Sequence, residues 1–401
     1  MKKIREYLIS WYDFFFAILI VFLPFSTGIP NIIMLLLLTV FIIDFKKEYY
    51  NDYYKSPYII LLILVIYLCI QAFINKSFLL DINYYKKYFY LIIIPILFLK
   101  VKKYQLLKIA SLITINATIL VSLFNILKFH QNFGYFPFND GWATNYVLVL
   151  ERPYAGIFSI ISIIISFDQI QNTTKRKGLF IASMLLSVFF ILFIAIRIST
   201  VTIFVLLFIY LLFYLKISGR KKLLLFLGIL FLVLVVLTYN KNMSERFFIT
   251  NSIEKTIEKT KRFEPRVIIF GCAKEIMNQP DFSILFGSDT YSNIQNSLVS
   301  CYGNTIEDYS RRSFFLEKRF NTHSQFIDLY LIGGLIAILI FCAFLINSIL
   351  LAYKNFCALA MVISFVMVLT IENLFHRQFG CFIFIIFTNL FLNRIKNNEI
   401  I

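Results

Sequence analysis

The sequence predicts an all-α polytopic membrane protein with about twelve transmembrane helices, and three observations carry that expectation. Of the 401 residues, 60% are hydrophobic and only 15% charged, against roughly 25% charged in an ordinary soluble domain. Apolar runs of spanning length recur along almost the whole chain, and the mean hydropathy is +0.79. Lysines and arginines gather in alternate connections between the runs, as the positive-inside bias requires. The formal net charge of +17 is therefore read as a topology signal, and nucleic acid is excluded as its target.

The runs fall at about 8–26, 30–45, 57–74, 85–100, 107–127, 145–167, 179–196, 200–216, 222–239, 324–350, 356–373 and 378–393. The basic head before the first run is followed by no small-residue cleavage site, so a retained first helix is expected rather than a signal peptide. Glu151, Arg152 and Pro153 interrupt the sixth run, and little chain separates the seventh and eighth around Arg197. Inner connections carry Lys46, Lys47 and Lys55, then Lys100, Lys102 and Lys103, Lys175 to Lys177, Lys216 with Arg220 to Lys222, Lys354, and a tail with Arg394 and Lys396. Outer connections at 27–29, 75–84 and 128–144 are poor in positive charge. This alternation predicts cytoplasmic termini and three parts: residues 1–240 with helices one to nine, a large extracytoplasmic segment over 241–322, and residues 323–401 with helices ten to twelve and the tail.

The 241–322 segment mixes both signs of charge with apolar positions at helical spacing. Glu264 before Pro265 marks a favourable helix start, predicting a helix over 264–278. A second helix is expected over 310–320, with a loop containing Gly287 between the two. Cys272 and Cys301 lie in this segment. A disulfide between them is one option if the segment is extracytoplasmic, and the sequence leaves that option open. Cys69, Cys342, Cys357 and Cys381 lie in apolar runs and read as packing residues.

The candidate site residues share the outer side. Arg197 interrupts FFILFIAIRISTVTIFVLL at the end of span seven. An arginine at that depth snorkels to headgroups, pairs, or meets an anion, and its planar donor fork suits a phosphate or diphosphate. Arg266 falls in the first turn of the expected loop helix, where the dipole disfavours a cation; a solvated charge is the alternative to a ligand contact. His323, one of three histidines, opens span ten, either as an interface residue or as a base for a hydroxyl nucleophile. Arg152 is either a local partner of Glu151 or another wall of an anionic cavity. Glu372 and Arg377, in TIENLFHRQFG, either orient an acceptor or close a turn. Asp328 lies about 140° around the helix from His323 and is a poor direct partner for it. No HExxH, CxxC or phosphate-binding glycine loop occurs, so neither a metal nor a nucleotide cofactor is expected.

Taken together, AIRISTV around Arg197, RVIIFGCAKEIMNQPDFSILFGSD from Arg266 and THSQFIDLYLIGGLIA around His323 resemble the O-antigen ligase and O-antigen polymerase superfamily. Ser324 stands where asparagine is common in that family, and Ile269 and Phe270 stand near its usual tryptophan. The resemblance implies a GT-C-like, metal-independent, inverting glycosyltransferase of the bacterial inner membrane. Its donor would be a glycan on undecaprenyl diphosphate. Its acceptor would be a sugar hydroxyl of lipid A–core (a ligase), a growing glycan (a repeat-unit polymerase) or a protein, with membrane lipids and a chain-length regulator as further partners. In that scheme Arg197 and Arg266 hold the diphosphate, His323 organises the acceptor hydroxyl, and Arg152, Glu372 and Arg377 line the substrate site. A non-enzymatic transporter of the same lipid is the contrasting class; it would spread its charges along a path across the membrane.

Overall fold

The structure is a computed structural model, describing residues 7–138, 141–174, 176–239, 252–288 and 290–398. The start of the polar segment up to residue 251, and Lys175, lie outside these residues. Among the described residues the chain is helical, without named strands.

The first half contains α1 (Tyr12–Phe22), α2 (Gly28–Ile43), α3 (Lys47–Tyr54), α4 (Tyr58–Ile74), α5 (Ile82–Tyr88), α6 (Tyr90–Phe98), α7 (Tyr104–Phe133), α8 (Gly141–Val147), α9 (Arg152–Asn172), α10 (Lys177–Phe193), α11 (Arg197–Ile209) and α12 (Gly219–Tyr239). The polar segment supplies α13 (Ile253–Phe263), α14 (Pro265–Met277), α15 (Tyr291–Thr305) and α16 (Tyr309–Lys318). It is followed by α17 (Gln325–Ala352), α18 (Phe356–Leu369) and α19 (Gln378–Asn398).

Among the described residues four helices are long and apolar enough to cross a membrane: α7, α9, α11 with its π-helical extension to Tyr214, and α17. A fifth is reached if α2 and α3, bent by 118°, count as one span. Apolar stretches of α1, α4, α10, α18 and α19 are shorter. At 1.5 Å per residue a 17-residue helix reaches about 25 Å, short of the roughly 30 Å hydrocarbon core. The fourth expected span is divided into α5 and α6, and the sixth starts only at Arg152.

Two helices form the centre. α19 is buried without interruption from Cys381 to Leu392, and α9 buries most of its length. Small polar residues let neighbours approach α9. Ser162 meets Ser183 of α10 at 3.1 Å, as packing without a hydrophobic driving force favours. Gly156 is required for the same reason, because a Cβ there would stand 2.2 Å from the Ser199 hydroxyl. This close contact fixes the start of α11, which carries Arg197. At the other end of α9, Asp168 pairs with Lys108 of α7 at 2.6 Å in a buried ion pair.

Connections that the charge pattern assigns to the outer side meet one another. The Asp81 carboxylate accepts from the Tyr291 amide at 2.9 Å, and Arg377 reaches Glu151 at 2.6 Å. Inner connections likewise meet: Lys100 pairs with Asp44 at 3.0 Å, and the Lys102 amide donates to Asp13 at 3.0 Å.

The described part of the polar segment folds as helices at the end where Asp81 lies. The expected helix over 264–278 appears as α14 and the one over 310–320 as α16, while α13 and α15 were not anticipated. Cys272 of α14 and Cys301 of α15 form a disulfide. The loop around Gly287 is not free. It runs against α17, whose helical path is broken at Gly334 (φ 61°, ψ −160°).

Candidate functional site

Arg197 does not end the helix before it; it begins the next one. After α10 the chain turns at Ala195 (φ 50°), and Arg197 is the first residue of α11. Arg266 is the second residue of α14, preceded by Glu264 and Pro265. Both cations thus occupy helix N-termini, where the unpaired amides already concentrate positive potential. Such a placement is unfavourable unless something negative is held there.

Glu264 supplies the negative charge. One carboxylate oxygen meets Arg197 Nη2 at 2.6 Å, and the other meets Arg266 Nη1 at 2.9 Å. As the residue before α14 it makes no side-chain cap to its own helix, because both oxygens serve the guanidiniums. Burial pushes its carboxyl upward, but the Arg197 and Arg266 guanidiniums outweigh that and hold it below the ordinary value of 4.5.

Arg266 continues the chain of contacts. Its Nη2 donates to Glu372 at 2.7 Å and its Nε to the Ile371 carbonyl at 3.2 Å. The second oxygen of Glu372 lies 3.4 Å from His323 Nδ1. That nitrogen is buried and makes no hydrogen bond among the described residues. His323 itself is held at φ +46°, a left-handed conformation that costs a non-glycine residue energy and often marks functional sites. Ser324 caps α17 behind it. The N-termini of α11, α14 and α17 are therefore linked through Arg197, Glu264, Arg266, Glu372 and His323.

The remaining expected site residues lie in other environments. Arg152 is buried, donating to the Phe138 carbonyl and to the Thr144 hydroxyl, so it secures the connection before α9. Arg377 pairs with Glu151 and lies 5.4 Å over the Tyr154 ring. These three border a cleft of about 510 Å³ with Ser26 and Thr27. Glu372 alone of that group joins the two arginines and His323.

A second polar cluster sits directly behind. Asp328 is buried and accepts from Tyr84 at 2.8 Å while contacting His376 Nε2 at 2.9 Å. Asn321 and Tyr291 approach the other ring nitrogen of His376 at 3.3 and 3.5 Å. Asn373, next to Glu372, donates to Thr322, next to His323, at 2.7 Å. Asp328 thus serves His376, as its position around the helix from His323 allows.

Two of these features escaped the sequence reading. Glu264 was seen as a helix start and not as the partner of two arginines. His376 carried no local pattern, because its partners come from α5, α15 and α17. The visible signal for Glu264 was its place two residues before an arginine that is itself at the wrong end of a helix. Among the described residues no group of three or more histidine, cysteine or acidic side chains is arranged to hold a metal. No protein-family model matches the chain, and no curated protein matches it.

Proposed function

We propose that this chain is a membrane glycosyltransferase of the kind that the O-antigen ligases and polymerases represent. It would move a preassembled glycan from undecaprenyl diphosphate to a sugar hydroxyl of lipid A–core. The single observation that carries this reading is the meeting of three helix N-termini, two headed by arginines, beside a histidine whose buried Nδ1 faces a carboxylate at 3.4 Å. Helix N-termini and arginine forks are the common means of holding phosphate.

In the proposed reaction Arg197 and Arg266 turn part of their donors from Glu264 and Glu372 to the diphosphate. There they stabilise the negative charge that grows on the leaving oxygen as the glycosyl bond breaks. The acceptor hydroxyl attacks the anomeric carbon from the opposite face, giving inversion. His323 takes its proton, and Glu372, 3.4 Å away, steadies the imidazolium that forms. Undecaprenyl diphosphate leaves. The role of His323 accords with an Nδ1 that faces the Glu372 carboxylate at 3.4 Å, which leaves the other ring nitrogen to take the proton.

The twelve-span arrangement with cytoplasmic termini, and placement in a bacterial inner membrane, belong to the same proposal. It is supported by the mutual contacts of connections assigned to one side and by a disulfide in the segment assigned outside, where oxidising conditions let such bonds persist.

The test is a strain lacking the gene, complemented with the intact protein or with Arg197→Ala, Arg266→Ala or His323→Ala, each checked for membrane level. Core-attached and carrier-linked glycans are then separated by size. Long chains on the carrier and none on core support the ligase. Core bearing at most one repeat assigns the protein as a polymerase. Normal attachment and length in all three variants overturn the catalytic reading.

A further inference from the structure

The loop between α14 and α15 carries three successive exposed apolar side chains, Ile284 (64% exposed), Leu285 (52%) and Phe286 (51%). In a loop surrounded by water the carbonyls between such residues would be left to solvent. Here every carbonyl from Ser283 to Gly287 has a protein donor. Ser283 and Gly287 pair with each other's amides at 2.6 and 3.2 Å. The Ile284 carbonyl accepts from the Leu335 amide at 2.9 Å, the Leu285 carbonyl from the Ile336 amide at 3.4 Å, and the Phe286 carbonyl from the Gln71 side chain. The Ser288 amide in turn donates to the Leu331 carbonyl at 2.7 Å.

These bonds replace the ones that α17 loses at its break. In an uninterrupted helix Leu335 would donate to Leu331, and Ile336 to Ile332. The loop takes over both amides and supplies a donor to Leu331. The fit is tight: a Cβ on Gly334 would stand 2.2 Å from the Leu285 carbonyl oxygen, and one on Gly287 would stand 2.6 Å from that of Leu331.

The depth of the contact follows from α4. The Gly333 carbonyl accepts from Tyr67 at 2.8 Å, and the loop tip is held by Gln71. These residues lie seven and three positions inside the end of α4 at Ile74, or about 5–10 Å along the helix. Neighbouring outward residues on α4 and α17, namely Ile70, Phe73, Ile74, Leu335 and Leu339, are apolar and exposed.

We propose that the 283–288 loop re-enters the outer leaflet, and that Ile284, Leu285 and Phe286 insert among its acyl chains. Irregular backbone is tolerated at membrane depth only where its polar groups are satisfied by protein; the five carbonyls from Ser283 to Gly287 and the amides of Ser283, Phe286, Gly287 and Ser288 are so satisfied, and the apolar side chains continue the outward faces of α4 and α17. The insertion stands independently of any glycan reaction. Its occupant is the bulk lipid of the bilayer.

The test uses the full chain in phosphatidylglycerol–phosphatidylethanolamine vesicles, with Cys69, Cys342, Cys357 and Cys381 replaced by alanine and the disulfide retained. An environment-sensitive fluorophore is placed at Phe286→Cys, and separately at Ile284→Cys in case the first variant folds poorly. Leu339→Cys serves as the lipid-exposed reference and Ser310→Cys as the water-exposed one. Insertion predicts quenching by spin labels on the acyl chains at both loop positions, as at 339, and loss of the iodide quenching seen at 310. Iodide quenching like that at 310 overturns the proposal. So does protection from both quenchers, which would mean that protein covers the loop, or disagreement between the two positions.

Discussion

Arg197 and Glu264 are 67 residues apart in the chain and 2.6 Å apart in space. The contact ties the start of α11, inside the bundle, to the start of α14 in the polar segment. A lysine at 197 would keep the charge but lose the planar fork that, in the proposed reaction, would reach a carboxylate and a phosphate together. Arg197→Lys is expected to lower the rate of glycan transfer by about 10²-fold, in line with loss of one preorganised donor, at an unchanged membrane level. Transfer measured in detergent-solubilised membranes with isolated lipid-linked glycan checks this.

Glu264→Gln keeps the shape of the side chain and removes its charge, leaving two guanidiniums facing each other at two helix N-termini. Thermal unfolding of the purified protein is expected to show a loss of about 1.5–3 kcal/mol, the usual range for a hydrogen bond to a charged group. Glu264→Asp, which keeps the charge on a shorter stem, should recover part of it.

The same carboxyl gives the protein a defined acid response. Its value is lowered in the folded state from an ordinary 4.5, so its stabilisation is complete above that pH. It is lost as pH falls through the lower folded value. A melting-temperature series from about pH 6 to about pH 3 should therefore fall less steeply below the ordinary carboxylate range in Glu264→Gln than in the parent.

The disulfide between Cys272 and Cys301 closes a loop with a sequence separation of 29 and joins the helix that carries Arg266 to α15. Reduction, or the Cys272→Ser and Cys301→Ser pair, should destabilise the folded polar segment by about 2–4 kcal/mol. Alkylation in denaturant checks the pairing directly. Cys69, Cys342, Cys357 and Cys381 should react before reduction, and all six cysteines after it.

His376→Ala removes a partner of buried Asp328 and leaves that carboxylate with Tyr84 and the more distant Thr322. A loss of about 1–3 kcal/mol is expected. Transfer should also fall, since Asn321, Thr322 and Asn373 link this cluster to the turn at His323. A transfer rate equal to the parent's would separate the two clusters functionally.

What could be read in advance was decided by range along the chain. Helix starts are local, so Glu264–Pro265 announced α14 from a dipeptide. Arg197, Arg266 and His323 stood out because each was chemically costly where it stood. Their connection through Glu264 and Glu372 was invisible, because it depends on contacts across 67 and 106 residues that no periodicity encodes. The position of Arg197 was misread by one helix because AIRIS lacks a proline or glycine to mark the turn, which the backbone makes at Ala195. The break in α17 was hidden in the same way. IGGLIA is apolar throughout, and only a loop from elsewhere in the chain makes interruption there tolerable.

Arg197, Glu264, Arg266 and Glu372 contribute two positive and two negative charges in alternation. At a distance these nearly cancel, so the resting cluster projects little field into the surrounding water. An approaching anion would feel the arginines only on contact, once it begins to displace a carboxylate. Capture of an anionic lipid would then be governed by its arrival through the bilayer plane rather than by electrostatic steering. The encounter rate should accordingly change little with ionic strength, and free inorganic anions should compete poorly for a place already held by built-in counter-ions.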